Sequence, residues 1–301
     1  MLDSNPIFIG GVGRSGTTLL YLMLNSHSQL AIGPELHFLA PPDLGRKLIE
    51  TCWDLSQEEL SDVAPSVTEK DPIIHSYRKF AMRCKRWGIS YEELMQLANK
   101  VMEIQRDNNE SAASRCVLFE GLGKLRCKRT NKKRWGGKIM QEVGAWNELW
   151  ANAWPNAQLI HIIRDGRDVA ASQLCDHKSW SLQNIGNTAT LWAQMVNSRH
   201  KVSSDPRCIF IRYEDLVLKS KETMEEVLKF LDVPWEDGVL KHTEADQELF
   251  KNHFNHPSYK QALRPINASS IGRYKRDLSR QDINIFEEIA GVELAELGYR
   301  I

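Results

Sequence analysis

Ile7-Phe8-Ile9-Gly10-Gly11-Val12-Gly13-Arg14-Ser15-Gly16-Thr17-Thr18-Leu19-Leu20 passes without a break from a short apolar strand, through a glycine-rich turn carrying Arg14, into the polar start of a helix. Gly10, Gly11, Gly13 and Gly16 let the backbone turn tightly and bring its N–H groups close to an anion. Ser15, Thr17 and Thr18 add hydroxyl donors where a helix N-terminus favours negative charge. The segment therefore reads as a phosphate cradle. Its frame Gly11-x-x-x-x-Gly16 matches a Walker A loop, but Thr17 stands where an NTPase carries lysine, so this is not an ordinary ATP site.

Outward from the cradle, the helix runs to about His27, and Gly33-Pro34-Glu35-Leu36-His37 reads as a loop re-entering the site region. From about Asp43 to Arg134 the pattern changes to helical segments, among them Tyr91 to Arg106 with Leu94, Leu97, Ala98, Val101 and Met102 on one stripe. This is expected to be a helical insertion. A second α/β unit follows: a helix over about Gln141 to Trp150, a strand Gln158 to Ile163, and a helix opened by Asp165. Next come a strand Cys208 to Tyr213, a helix Lys221 to Leu231 and a terminal helix Asp282 to Leu297. Strands alternating with helices imply an α/β fold, a P-loop-like and mostly parallel sheet with its ligand at the carboxyl ends of the strands. No repeat or low-complexity linker divides residues 1–301, so one domain with an insertion is expected, the insertion shaping an acceptor pocket.

A second anion-binding segment is Leu159-Ile160-His161-Ile162-Ile163-Arg164-Asp165-Gly166-Arg167-Asp168-Val169-Ala170-Ala171-Ser172. Arg164 leaves the strand at its carboxyl end, and Asp165 with Asp168 suits a capped helix start. A guanidinium fork and the Ser172 hydroxyl, eight residues later, suit a dianion if the fold joins them. Trp192 reads as core.

With both anion segments in order, the chain resembles the sulfotransferases that use 3′-phosphoadenosine-5′-phosphosulfate (PAPS). It looks closest to the branch containing tyrosylprotein sulfotransferases and many bacterial small-molecule or carbohydrate sulfotransferases. The resemblance implies that Gly13, Arg14, Ser15, Gly16, Thr17 and Thr18 bind the 5′-phosphosulfate, and that Arg164 and Ser172 bind the 3′-phosphate. It implies catalytic roles for Arg14, for Glu35 as acceptor of the hydroxyl proton, and for Lys138 as a cation neutralising charge on the transferring group. Glu35 lies 21 residues after Arg14, the separation at which the tyrosylprotein branch carries its glutamate. His37 is the rival base. Tyr213 in Ile211-Arg212-Tyr213-Glu214-Asp215-Leu216 matches a nucleotide-contacting tyrosine. Arg273 and Tyr274 match a cation and an aromatic that close over the cofactor, and the same register places Ser258 on a cofactor-contacting serine. Asp176 departs from the branch, which has a further 3′-phosphate arginine there, leaving Lys178 and Lys275 as candidate substitutes. Ile139-Met140 also departs from the turn that follows Lys138 in many relatives.

The 39 basic and 39 acidic residues balance, so no global field draws nucleic acid or an acidic membrane to the protein. The basic run Lys124 to Lys138 reads by itself as a solvated face. Cys52, Cys84, Cys116, Cys127, Cys175 and Cys208 lack metal or CxxC spacing and fit a reduced chain, and no metal site is expected. No apolar run is long enough to span a membrane and no secretory signal is visible, so a cytoplasmic enzyme is expected. Its expected reaction is in-line transfer of the PAPS sulfuryl group to a hydroxyl or amine of a small-molecule acceptor, with adenosine 3′,5′-bisphosphate (PAP) as product. A protein-tyrosine or carbohydrate acceptor is the alternative. A P-loop kinase lacks its lysine here, and an RNA-binding protein lacks an interleaved aromatic-basic pattern. A homodimer is allowed but not indicated.

Overall fold

The computed structural model describes residues 4–35, 53, 80–108, 111–140, 146, 150–176, 184–245, 261 and 263–301. Five strands form one sheet: β1 (Ile7–Gly10), β2 (Leu30–Glu35), β3 (Arg134–Met140), β4 (Gln158–Ile163) and β5 (Cys208–Arg212). Their spatial order is β2-β3-β1-β4-β5, and every neighbouring pair is parallel. Among the described residues the sheet is thus fully parallel, its central strand feeding the glycine-rich turn.

A parallel sheet buries both faces, and alternate side chains separate here as that requires. Phe8, Trp135 and Leu159 face a layer containing α2 (Tyr91–Asn108), α3 (Ser111–Thr130) and Trp146, Trp150 and Trp154. Phe8 lies at the centre of this layer, its ring centroid 4.7 Å from Trp150 and 5.7 Å from Trp154. Ile7, Ile9, Ile160, Ile162 and Ile211 face the opposite layer, built on α1 (Thr17–Asn25) and, after β5, on α7 (Ser220–Phe230). A third cluster joins α4 (Gly166–Asp176), α5 (Ile185–Asn197) and α8 (Arg280–Glu296), with Trp192 fully buried at its centre. The described helices of the expected insertion therefore supply one covering layer of the sheet.

Two strands replace what the sequence suggested. Residues 33–35 are strand rather than loop, because Leu30, Ala31 and Ile32 pair with Arg134, Trp135 and Gly136 and the pairing resumes at Glu35 beyond a bulge. Likewise the end of the basic run, from Arg134 to Lys138, is strand, while its start belongs to α3. Gly136 allows the approach to β1, since a Cβ there would sit 2.4 Å from the Ile7 carbonyl oxygen. Tyr213 leaves β5 and opens α6 (Tyr213–Leu218). The basic run is not a solvated face throughout. Arg126 is buried and donates to the Ile32 carbonyl at 3.2 Å, and Arg134 is buried and donates to the Leu231 carbonyl at 2.8 Å. These guanidinium groups satisfy backbone carbonyls inside the fold, one at the bulge of β2 and one at the end of α7. The helix expected over residues 141–150 lies mostly outside the described residues.

His161 on β4 packs against Phe210 with centroids 5.5 Å apart, and its Nδ1 is buried with no hydrogen-bond partner. Burial first, then the Arg199 charge, depresses its pKa from 6.5 to about 4. The unfolded chain therefore takes up a proton that the native chain refuses. The resulting stability is present above about pH 6.5 and is lost as pH falls toward 4, in all about 3 kcal/mol. Urea titrations should show this acid slope, and His161→Leu should flatten it by about that amount.

Candidate active site

All five strands contribute to one edge of the sheet. In spatial order their carboxyl ends present Glu35 from β2, Lys138 from β3, the turn 10–18 after β1, Arg164 after β4 and Tyr213 after β5. This is the crevice in which an open parallel sheet binds its ligand.

The central turn is held open by its backbone. Gly16 caps α1 at φ 96°, a left-handed conformation natural to glycine, and no side chain caps the helix. A Cβ on Gly16 would sit 2.5 Å from Tyr213 Cδ2, so the Tyr213 ring packs directly against the turn. Arg14 also adopts positive φ, at 77°, a strained geometry for a non-glycine residue and a mark of functional turns. The first-turn N–H groups of α1 have no preceding helical carbonyls to bond. Ser15 Oγ is fully buried without a hydrogen-bond partner. Uncapped amides, an unsatisfied hydroxyl and adjacent cations form an anion cradle.

On one side the cradle meets the second anion segment, which the fold does bring into place. Arg14 Nε donates to Ser172 Oγ at 2.9 Å, and Arg164 Nη1 donates to the Arg14 carbonyl at 2.9 Å. Arg164 stacks over Tyr213, its Cζ 4.5 Å from the ring centroid, while its Nε is buried and unpartnered. Arg164 also donates to the Ser270 carbonyl. Asp165 caps α4 by accepting the Arg167 N–H at 2.9 Å, as expected, and its own N–H is received by Glu214 at 3.0 Å. Burial raises the Glu214 carboxyl above its ordinary range, against the pull of that N–H. Asp168, expected to help cap α4, instead turns toward Gly272 and Tyr274.

On the other side lie the expected base and cation. Glu35 and Lys138 are register partners on β2 and β3. Lys138 is 7% exposed, and its Nζ lies 3.4 Å from Thr18 Oγ1, so it reaches from the strand end toward the cradle. Glu35 pairs with Arg83 at 3.4 Å. Arg83, from the region read as an insertion, went unassigned in the sequence, because its place beside Glu35 depends on a long-range fold.

The remaining expected residues are placed less directly. Tyr274 is buried under Arg167, whose Cζ lies 4.3 Å from its ring centroid, so the tyrosine serves packing as well as any ligand contact. Arg273 pairs with Asp277 at 2.6 Å. Lys275 lies over the Tyr274 ring, its Nζ 5.8 Å from the centroid. Ser258, His37 and Lys178 lie outside the described residues. The described cysteines are free, and among the described residues no cluster of three His, Cys, Asp or Glu side chains could hold a metal.

A family model described as the sulfotransferase family matches residues 6–237, which include every strand of the sheet and the whole edge just described. The chain belongs to the sulfotransferase family. Among curated relatives, the protein-tyrosine sulfotransferase of Drosophila melanogaster is 26% identical over 97% of this chain and 51% of its own length. The chain thus spans about half the length of that relative. The sulfotransferase domain from the curacin biosynthetic pathway superposes with a TM-score of 0.59 at 17% identity, covering all of both chains. Mouse sulfotransferase SULT7A1 complexed with PAP superposes with a TM-score of 0.50 at 13% identity, over 97% of this chain and 86% of its own. The α/β fold read from the glycine-rich strand and turn is the fold these neighbours share.

Proposed function

We propose that the protein transfers the sulfuryl group of PAPS to a phenolic hydroxyl, with a protein tyrosine as the leading acceptor class. The observation carrying this reading is the order of groups along the sheet edge: a carboxylate and a lysine at β2 and β3, an anion cradle at β1, and a second guanidinium site at β4. The relatives named protein-tyrosine sulfotransferases support the acceptor, and the reading favours it over the small-molecule acceptor expected from the sequence. A PAP-bound neighbour of the same fold supports the nucleotide.

The residues present fit such a cofactor. The turn 13–18 would hold the 5′-phosphosulfate, Arg164 and Ser172 the 3′-phosphate, and Tyr213 the nucleotide. PAPS supplies the sulfuryl group, whose bond to the phosphate oxygen breaks as the acceptor oxygen bonds sulfur. Glu35 takes the acceptor proton, and Lys138 and Arg14 stabilise the charge that develops during transfer. A carboxylate can take the proton late, after the S–O bond has begun to form.

Labelled PAPS offered with a tyrosine-containing peptide, with its phenylalanine counterpart and with simple phenols tests the reading. Label appearing on the tyrosine peptide alone or best of the three is the expected result. Label confined to the phenols would restore the small-molecule acceptor, and label on none would remove the activity. Arg164→Ala should weaken PAP by about 2 kcal/mol, near thirtyfold, more than it weakens AMP, because both nucleotides lose its support of the Arg14 carbonyl but only PAP carries the phosphate assigned to that guanidinium. Calorimetry on both nucleotides reads the difference.

A further inference from the structure

Asp168 lies behind the site, almost fully buried on the first turn of α4. Its two carboxylate oxygens are used separately. Oδ2 accepts the Gly272 N–H at 2.8 Å, and Oδ1 accepts the Tyr274 N–H at 3.0 Å. The carboxylate thus straddles Arg273, fixing the backbone on either side of it. Gly272 has φ 70°, a left-handed conformation natural to glycine. Arg164 Nη2 lies 3.8 Å from Asp168 Oδ2 and donates to the Ser270 carbonyl. One ion pair, Arg164 with Asp168, therefore binds three backbone groups of residues 270–274 while the same arginine bonds the Arg14 carbonyl of the cradle.

We propose that Asp168 is a positioning residue for nucleotide recognition: by clamping Gly272 and Tyr274 and pairing with Arg164, it fixes the backbone around Arg273 and holds Arg164 where it reads the 3′-phosphate. The inference rests on the reading that this side of the edge receives a 3′-phosphate. Asp168 never touches the nucleotide. Its two acceptor oxygens are required together, because an asparagine offers one oxygen and turns an N–H₂ donor toward the second backbone N–H. The unmatched pair of donors and the lost charge would release the segment and loosen Arg164.

The test compares PAP and AMP binding by calorimetry in the unaltered chain and in Asp168→Asn. The expected result is that PAP weakens about tenfold or more while AMP changes less than twofold, so the preference for the 3′-phosphate collapses. Equal weakening of both nucleotides, or a lowered melting temperature with the preference intact, would reduce Asp168 to a structural residue and overturn the inference. If the unaltered chain shows no preference for PAP, the 3′-phosphate reading itself fails, an outcome distinct from failure of the clamp. Hydrogen exchange in the unaltered chain gives a second reading that does not depend on the variant folding. PAP should slow exchange of the Gly272 and Tyr274 amides and AMP should not, whereas identical rates with either nucleotide would contradict the clamp.

Discussion

Glu35→Gln should lower single-turnover sulfuryl transfer by about a hundredfold or more while leaving PAP affinity nearly unchanged. Glutamine keeps the size of the side chain and its place opposite Lys138 on β3, but it cannot take a proton. Nucleotide binding is assigned to the turn after β1 and to the ends of β4 and β5, on the other side of Lys138, so it should be spared. The Arg83 guanidinium, 3.4 Å from Glu35, would keep an amide oxygen as acceptor, which limits disturbance of the strand end. His37→Ala is expected to be much milder. Near-normal chemistry in Glu35→Gln with collapse in His37→Ala would move the base two residues along the chain.

Lys138→Ala should depress turnover by roughly a hundred- to a thousandfold, because its ammonium is needed most as charge builds on the sulfuryl group and the departing phosphate oxygen. Lys138 is buried at the strand end, and there a charge about 4 Å from its partner is worth on the order of 4 kcal/mol at an effective dielectric near 20. The loss should fall on the transfer step more than on PAP affinity. Glu35→Gln and Lys138→Ala should combine to less than the product of their separate effects, since the two side chains are cross-strand neighbours serving one reaction. Rapid-quench measurements on the two single variants and the double variant test both statements. A fully multiplicative double variant would separate their roles.

The cradle was legible because its signal is local: an apolar strand, four glycines and a hydroxyl-rich helix start follow one another within fourteen residues. The β4–Arg164–α4 unit was legible for the same reason. Not legible were the two strands on one side of β1, β2 and β3. β2 carries Gly33 and Pro34, and β3 carries Gly136 and Gly137, residue types that read as turn or linker. Their extended form is imposed by parallel neighbours far away in the chain, a constraint that composition and periodicity do not carry. The reading of Glu35 as a loop residue was therefore incorrect in backbone terms, even though the strand sets it opposite Lys138. The solvated reading of the basic run failed similarly, because Arg126 and Arg134 find backbone carbonyls that only the folded chain supplies. Asp168 shows the same limit: its partners at Gly272 and Tyr274 lie more than a hundred residues away.

On the proposed function, this sheet edge receives a nucleotide carrying phosphates on both the 3′ and 5′ positions. Calorimetric titration of the unaltered chain with PAP and with AMP, in buffer free of Mg²⁺, tests it most directly. Saturable PAP binding at least tenfold tighter than AMP is expected, matching the roughly 1.5–3 kcal/mol of a charge-assisted phosphate contact. Equal affinity for the two nucleotides would contradict it.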